Sequence, residues 1–587
     1  MGRFIVFACT GAILFAESIT ATIFTVSPGQ SIASVLSGIQ ANNGHSVEIA
    51  AGTYQESGTI TIPEGVSISG AGPQATIIES SASTALQIMG NGTTGGNVQE
   101  IAGFTVDGKG NTNALWGINL ENSCGITVRD IDIRNFEEMG LRLDNLVGCE
   151  IYNINISNSA KGFSSSAKRE GEGVPDWAII GCSGALGVGN LENCLFHDMV
   201  VDEDEAYAVK VSSYKIWNNR SRYLKDCEFY NIDFKTSDAS CSEWGKLCVE
   251  LFDIDNFNVK FHNCRFTTSV SLIPNHAFDF PNRGIEFYNN FFDIHKSGNN
   301  YACEFEHQNI TMHHNYFEGG LYPLALWGGR DVVKGMNVHH NVFYDQNGPH
   351  APINLESGVE SGVFANNTVV LTDAMWDGFK VFNMNPGYQS NLRVVNNVFV
   401  KNTSKGYSFN NGSIGTVENN LFSGLGAEGN NSFTDDPQLN GNAQGLDRFV
   451  AGNTNAVTDR GVTLAGITDG FAGSAPDLGA FEDGVTFKYG IDPTIRGNPV
   501  ATRCMHNQGR MNAQVPAVRI TRKSIIINLD PAHFSRGAEV GVYSLLGKII
   551  VSSEISSHGT VSLPRTRLIC GTYVIKAPGL VSTIVVR

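Results

Sequence analysis

A lysine and three carboxylates recur at one position of four alternating segments: Lys210 in YAVKVSS, Glu250 in LCVELFD, Asp279 in HAFDFPN and Glu304 in YACEFEH. In each segment the charged residue lies between two residues suited to burial, so its side chain points away from the core. Related segments place Asn119 and Arg142 before this row and Ala325 and Asn354 after it, while Glu306 and His307 follow Glu304 on the same strand. Carboxylates on neighbouring strands raise one another's pKa unless a cation lies between them, which makes such a row unfavourable as mere decoration. A lysine there can take a proton from carbon, carboxylates can hold a hard cation, and two carboxylates can act as the acid and base of glycoside hydrolysis. The bland reading is a solvated face in which Lys210 and Glu250 form a cross-strand ion pair worth about 0–1 kcal/mol.

The elements that must position this row come from a repeat. LENCLF at 191, LKDCEF at 224, FHNCRF at 261, FYNNFF at 287, MHHNYF at 312, VHHNVF at 338, FANNTV at 364, VVNNVF at 394 and VENNLF at 417 share one pattern, with weaker copies IAGFTV, VRDIDI and IYNINI upstream. A short, strand-rich period without helical periodicity marks a solenoid, in which each unit completes its core by stacking on its neighbours. The fold class expected is all-β: a right-handed parallel β-helix of roughly a dozen coils stacked about 4.8 Å apart. Asn290, Asn315, Asn341, Asn367, Asn397 and Asn420 then form a stacked amide ladder, and Cys194, Cys227 and Cys264 are expected to hold the same place in earlier coils. The segment around Ala178 to Asn190 fits two registers.

The paired histidines of MHHNYF and VHHNVF belong to this repeat. His313 and His339 should face outward in a column with His262 and Tyr288, and His314 and His340 fill the turn position that Asn or Asp occupies elsewhere. A metal reading is weaker, because no carboxylate completes a ligand set in that column. The longest interruptions, AKGFSSSAKREGEGVPDW, YKIWNNRSRY and KTSDASCSEWGK, fall beside the charged row and carry Trp177, Trp217 and Trp244; Arg283, Trp327 and Arg330 follow the alternating strands. Long loops on a rigid scaffold often carry binding residues, aromatic faces stack on sugar rings and arginines pair with carboxylates. A cleft along a solenoid suits a linear polysaccharide. Taken singly, each loop residue is more often surface packing.

The chain has 587 residues, 65 of them Gly and 34 Phe, and a formal net charge of −17, which argues against a nucleic-acid partner. MGRFIVFACTGAILFAESITA reads as a secretory signal peptide over 1–21, and no later segment reaches membrane-spanning length. Of the twelve cysteines Cys9 falls in this leader, so the odd number remaining leaves at least one thiol free. A secreted or cell-surface monomer is expected.

The segment Phe24–Ile78, with DPQLNG at 436 and GSAPDLGAFE at 473, resembles the opening and close of secreted bacterial proteins of the pectate-lyase-like β-helix superfamily. The resemblance covers about Phe24 to Gly484. It implies, as in several polysaccharide lyases, Lys210 as the base that takes the C5 proton of a uronate, with Glu250, Asp279, Glu304 and Glu306 holding Ca²⁺ and Arg283 or Arg330 stabilising the enediolate. Two further readings stay open. One is a glycoside hydrolase, for which Asp279 with Glu304 in adjacent coils and Glu250 with Glu304 two coils apart bracket the separations of retaining and inverting reactions. The other is a non-catalytic carbohydrate binder or adhesin.

The β-helix domain is expected over 22–484, a linker over 485–511 and a small β-sandwich over 512–587. VGVYSLLGKII, GTYVIKA and the final IVVR resemble the C-terminal sorting domain of bacterial type IX secretion substrates, which implies the secretion machinery as a partner. The bland alternative is an appended carbohydrate-binding sandwich.

Overall fold

The structure, a computed structural model, describes residues 21–41, 44–90, 92, 99–137, 139–159, 186–202, 209–212, 223–235, 248–252, 255–267, 270–273, 283–294, 303–305, 309–320, 323–326, 333–345, 353–355, 359–373, 379–384, 390–410, 414–483 and 489–490, together with strands between 517 and 586. The short period produces the expected parallel β-helix. Each mature coil presents three strands, here assigned to sheets A, B and C. In one coil these are Cys303–Phe305, Ile310–His313 and Tyr316–Glu318, which pair in parallel with Leu324–Leu326, Val333–His339 and Val342–Tyr344 of the next. At the start, the helix Ile32–Ser37 buries Ile32 and Leu36 over the first coil. Its N-terminus is fixed by Ser31 and by Glu56, which accepts from the Ile32 N–H at 2.5 Å.

Alternation along each strand sends aromatic residues inward, where parallel register forces like onto like. Phe196, Phe229, Phe261 and Phe287 stack on sheet B with centroids 4.5, 4.7 and 5.0 Å apart. Phe234, Phe266, Phe292, Phe317 and Phe343 do so on sheet C. These columns form the core and lock the coil spacing.

The turn from sheet B to sheet C contains one residue in the left-handed region and then one buried residue. Asn263, Asn289, His314, His340, Asn366, Asn396 and Asn419 take the first place, with φ between 49° and 57°. Asn290, Asn315, Asn341, Asn367, Asn397 and Asn420 take the second, fully buried, and form the predicted ladder. Each accepts from the backbone N–H and side-chain amide of the ladder residue before it, at 2.8–3.0 Å among the five asparagine pairs.

The cysteines correct the expected alignment. Cys264 does precede Asn290 in the ladder, its N–H donating to Asn290 Oδ1 at 2.9 Å. Cys194 and Cys227 do not. Leu195 N donates to Cys149 O, Glu228 N to Cys194 O and Lys260 N to Cys227 O, so Cys149, Cys194 and Cys227 stack at the turn from sheet A to sheet B. That turn also opens with a left-handed residue, Gly148, Asn193 or Asp226. The two corners share one chemistry, so a motif of that chemistry slips between them. Cys149, Cys194, Cys227, Cys264 and Cys303 are free thiols; burial pushes Cys264 up to about 12, which keeps it protonated and inert.

After the last solenoid strand, Leu421–Ser423, the chain turns back along the outside. Asn419 Nδ2 donates to Arg460 O, Asn396 pairs with both Val462 N and O, and Asn366 Nδ2 donates to Asp477 O. Phe449, Ala480, Phe481 and Tyr489 cover Tyr316, Val342 and Val370 on the outer side of sheet C. Gly479 lies so close that a Cβ would meet Thr368 Oγ1 at 2.8 Å and Val398 Cγ2 at 2.9 Å, and its φ is +89°. The returning tail therefore seals one side of the solenoid. Farther on, antiparallel strands form a three-stranded and a four-stranded sheet between 517 and 586, as expected of a small β-sandwich. Among the described residues no helix is long and apolar enough to cross a membrane.

Candidate functional site

Sheet A carries the charged row. Its strand register runs Gln87, Asn119, Arg142, Gly187, Lys210, Glu250, Ser271, Glu304, Ala325, Asn354 and Asn383, each beside the next. Lys210, Glu250 and Glu304 thus share one column, as alternation predicts. The segment with two possible registers resolves as Leu186–Glu192 and places Gly187 in it.

Alternation puts Asp279 between Glu250 and Glu304 in this column. Its place between Glu250 and Glu304 belongs to Ser271, on Val270–Ile273. The physical reason is chain length: only three residues separate the sheet C strand Arg265–Phe266 from Val270, so VSLI reaches sheet A first. Pro274 then follows, which lacks the N–H a continuing strand needs. The HAFDFPN alternation is the more regular pattern, but VSLI precedes it in the chain. Asp279 lies outside the described residues, as do Glu306, His307, Trp177, Trp217, Trp244, Trp327 and Arg330. Arg283 opens the sheet B strand Arg283–Tyr288, beside Phe257 and just before the left-handed Gly284. It sits where the chain has left sheet A, at the edge of the row and not within it.

The two ends of the row close on themselves. Asn119 Nδ2 donates to Gln87 Oε1 at 2.7 Å and to Glu121 Oε1 at 2.8 Å. Arg142 donates to Asn119 Oδ1 at 2.8 Å, forms ion pairs with Glu121 and Asp144, and lies over the Trp116 ring at 5.0 Å. At the other end Asn383 Nδ2 donates to Asn354 Oδ1 at 2.8 Å, and Ala325 and Asn354 are buried. Polar groups satisfied by their own neighbours have little left for a ligand. Between these ends the column holds Gly187, Lys210, Glu250, Ser271 and Glu304. Sequence reasoning missed Ser271 and Gly187; counting residues forward from each turn would have found both. Among the described residues no group of three His, Cys, Asp or Glu side chains converges as a metal site.

A second polar array occupies the outer side of sheet B. Tyr152, His197, Tyr230, His262, Tyr288, His313 and His339 stack ring on ring, with centroids 4.5–5.1 Å apart and planes within 8°. The predicted His262–Tyr288–His313–His339 column is its upper part. The whole stack has a two-coil period. Glu150, Glu228 and Glu286 each stand two residues before a tyrosine, and each meets the histidine of the next coil: His197 Nε2 at 3.4 Å, His262 Nε2 at 2.8 Å and His313 Nε2 at 3.1 Å. Burial would lower His197, but Asp198 and Glu150 outweigh it and leave the imidazole more basic than usual. Burial would raise Glu228, but His262 outweighs it and holds the carboxyl below its ordinary range. The His313 hydrogen bond does the same for Glu286.

No family model matches the sequence, and no curated protein sequence matches it. Among solved structures, the chain is similar to Geobacillus virus E2 ORF18 at 14% identity and a TM-score of 0.33, covering 64% of this chain but only 58% of that one. It is similar to the A-module of the mannuronan C-5 epimerase AlgE6 of Azotobacter vinelandii at 11% identity and a TM-score of 0.43, covering 69% and 95%. It is also similar to the Streptococcus pneumoniae surface protein and adhesin PfbA at 13% identity and a TM-score of 0.39, covering 65% and 94%. A shared fold does not carry an activity with it, so none of these names transfers to this chain.

Proposed function

We propose that this chain is an exported polysaccharide-active protein that binds a uronate-containing polymer along sheet A and cleaves it by β-elimination. The observation that carries the reading is the strand register that lines up Lys210, Glu250, Ser271 and Glu304 between two self-satisfied ends. Lys210, as the neutral amine, is the base that takes the C5 proton. Two carboxylates with a hydroxyl between them are oxygen donors of the type a hard cation takes, so Glu250, Ser271 and Glu304 would hold Ca²⁺. Bound there, Ca²⁺ supplies positive charge against the uronate carboxylate. The leader over 1–21 and the C-terminal sheets fit export through a sorting domain, with the protein acting as a monomer outside the cell.

One observation favours a second reading. With Ser271 between them, Glu250 and Glu304 are two strands apart, about 10 Å along the axis, near the upper end of the separation used by inverting glycoside hydrolases. Incubating the full chain with uronate polysaccharides, with and without EDTA, separates the two. Ultraviolet-absorbing unsaturated ends that vanish with chelator support elimination, and new reducing ends without unsaturation support hydrolysis. Binding without cleavage rejects both and leaves an adhesin. Full eliminative activity in Lys210→Ala rejects the assigned base.

A further inference from the structure

Four imidazoles meet where sheet B turns into sheet C in two successive coils. His313 stacks on His339 with centroids 5.0 Å apart, and His314 on His340 at 5.0 Å. Within each coil the neighbours are nearly perpendicular and touch through their Nδ1 atoms, His313 to His314 at 2.9 Å and His339 to His340 at 2.8 Å. His339 and His340 are buried.

An Nδ1···Nδ1 contact holds one proton. One ring donates and the other must offer a lone pair, so each pair can be neutral or singly charged. A second proton sets two N–H groups head to head and the contact parts. Stacking adds to this limit, because imidazolium charges 5.0 Å apart in a partly dry site repel. The histidines lower in the column differ: His197 meets Glu150 and Asp198, and His262 meets Glu228. At the box, His313 Nε2 meets Glu286, which Lys260 also approaches at 3.5 Å.

We infer that this four-histidine box is an acid-labile seam, at which added protons part the coil of His313 from the coil of His339 before they open the asparagine-turned coils above. Burial, with the neighbouring imidazoles behind it, holds His314 and His339 well below the usual histidine range and lowers His340 to about 4. The stability these neutral groups contribute is present above the unfolded histidine pKa and is lost as pH falls towards the folded value. His197 has the opposite sign, since its raised pKa makes its clasp strongest in acid. The returning tail carries Asp477 and Glu482, whose carboxylates accept N–H groups of the tail itself. Burial raises both, so protons relieve them. Below the box stand Glu228 and Lys260; on sheet C the charged neighbours of Tyr316 are Glu318 and Arg448. Mild acid therefore tightens the His197 clasp and relieves the tail carboxylates while loosening the box.

Hydrogen–deuterium exchange on the full chain without substrate tests this independently of the proposed activity. Protection factors, corrected for intrinsic exchange, are compared at about pH 7.5 and about pH 4.5. Peptides over 310–318 and 336–344 should lose about tenfold or more in acid, while those over 363–371 and 394–400 hold. His340→Asn, which installs the residue found at this turn in Asn366 and Asn396, should remove most of that loss. Uniform loss along the solenoid, unchanged protection at the box, or equal loss in the variant overturns the inference. Should the variant not fold, the regional contrast in the wild type decides.

Discussion

Removing one rung from the middle of the asparagine ladder should be far more damaging than removing the last. Asn341 is fully buried. Its Nδ2 donates to Met312 O at 2.9 Å, His339 O at 3.0 Å and Asn367 Oδ1 at 3.0 Å, and its Oδ1 accepts from Asn315 N at 3.0 Å and Asn315 Nδ2 at 2.9 Å. Asn341→Ala deletes all of these at once. The Asn315 N–H then loses its partner at a gap enclosed by stacked coils, while the Asn315 amide keeps only Phe287 O and the Asn367 carbonyl only the backbone N–H of residue 341. At about 1–3 kcal/mol for the buried N–H left without a partner, and less for each group that keeps one bond, the loss is about 2–5 kcal/mol. Asn420 supports Asn397 in the same way, but its own N–H meets the partly exposed Ser432 Oγ at 3.4 Å and no ladder asparagine lies beyond it. Asn420→Ala should therefore lose about half as much. Urea unfolding of the two variants, followed by circular dichroism, measures both. Equal losses, or a loss below about 1 kcal/mol for Asn341→Ala, would show that the ladder follows the fold without stabilising it.

His197→Phe keeps the ring stack but removes a group whose folded pKa is raised, so its melting temperature should fall furthest below wild type at about pH 6 and approach it by about pH 8.5; a gap that widens with pH contradicts the sign. Glu304→Gln should lower eliminative activity by about 100-fold or more, and Asp279→Asn, whose expected place Ser271 takes, by less than about tenfold; the reverse order in initial rates would return Asp279 to the centre of the site. Gly479→Ala places a methyl against Thr368 and Val398 at a positive φ, which should destabilise tail docking by about 1–3 kcal/mol. Limited proteolysis should then cut 425–483 earlier than in wild type, and an unchanged cleavage pattern would show that the turn adapts.

The solenoid was legible because one chemical rule, a left-handed polar residue followed by a buried one, repeats at each turn from sheet B to sheet C. That rule also explains the main error. Asn193–Cys194 and Asp226–Cys227 obey it at a different corner, so the motif fixed the architecture without fixing the phase. Lys210, Glu250 and Glu304 aligned correctly because each is flanked by inward residues. Phe278–Asp279–Phe280 passes the same test, yet the place between Glu250 and Glu304 belongs to Ser271, since alternation does not record where the preceding strand ended. The Glu–Tyr–His clasps escaped notice because they repeat every second coil, and their partners are made by stacking between residues about 30 positions apart.

The tail that folds back over sheet C also sets where the molecule takes mechanical load. Gly490 N donates to Asn289 O at 2.7 Å, so the last described residue of the tail lies beside the coil of Asn289 and not beside the last solenoid strand, Leu421–Ser423. Tension applied through the C-terminal segment enters midway along the rod. It meets the tail's attachments one after another, Gly490 on Asn289, Asp477 on Asn366, Val462 on Asn396 and Arg460 on Asn419. These contacts are loaded in series, as in peeling tape, and the stacked coils beneath are not sheared until the last has opened. The tail is thus a sacrificial fastening, able to lengthen under a pull while the sheet A surface keeps its shape.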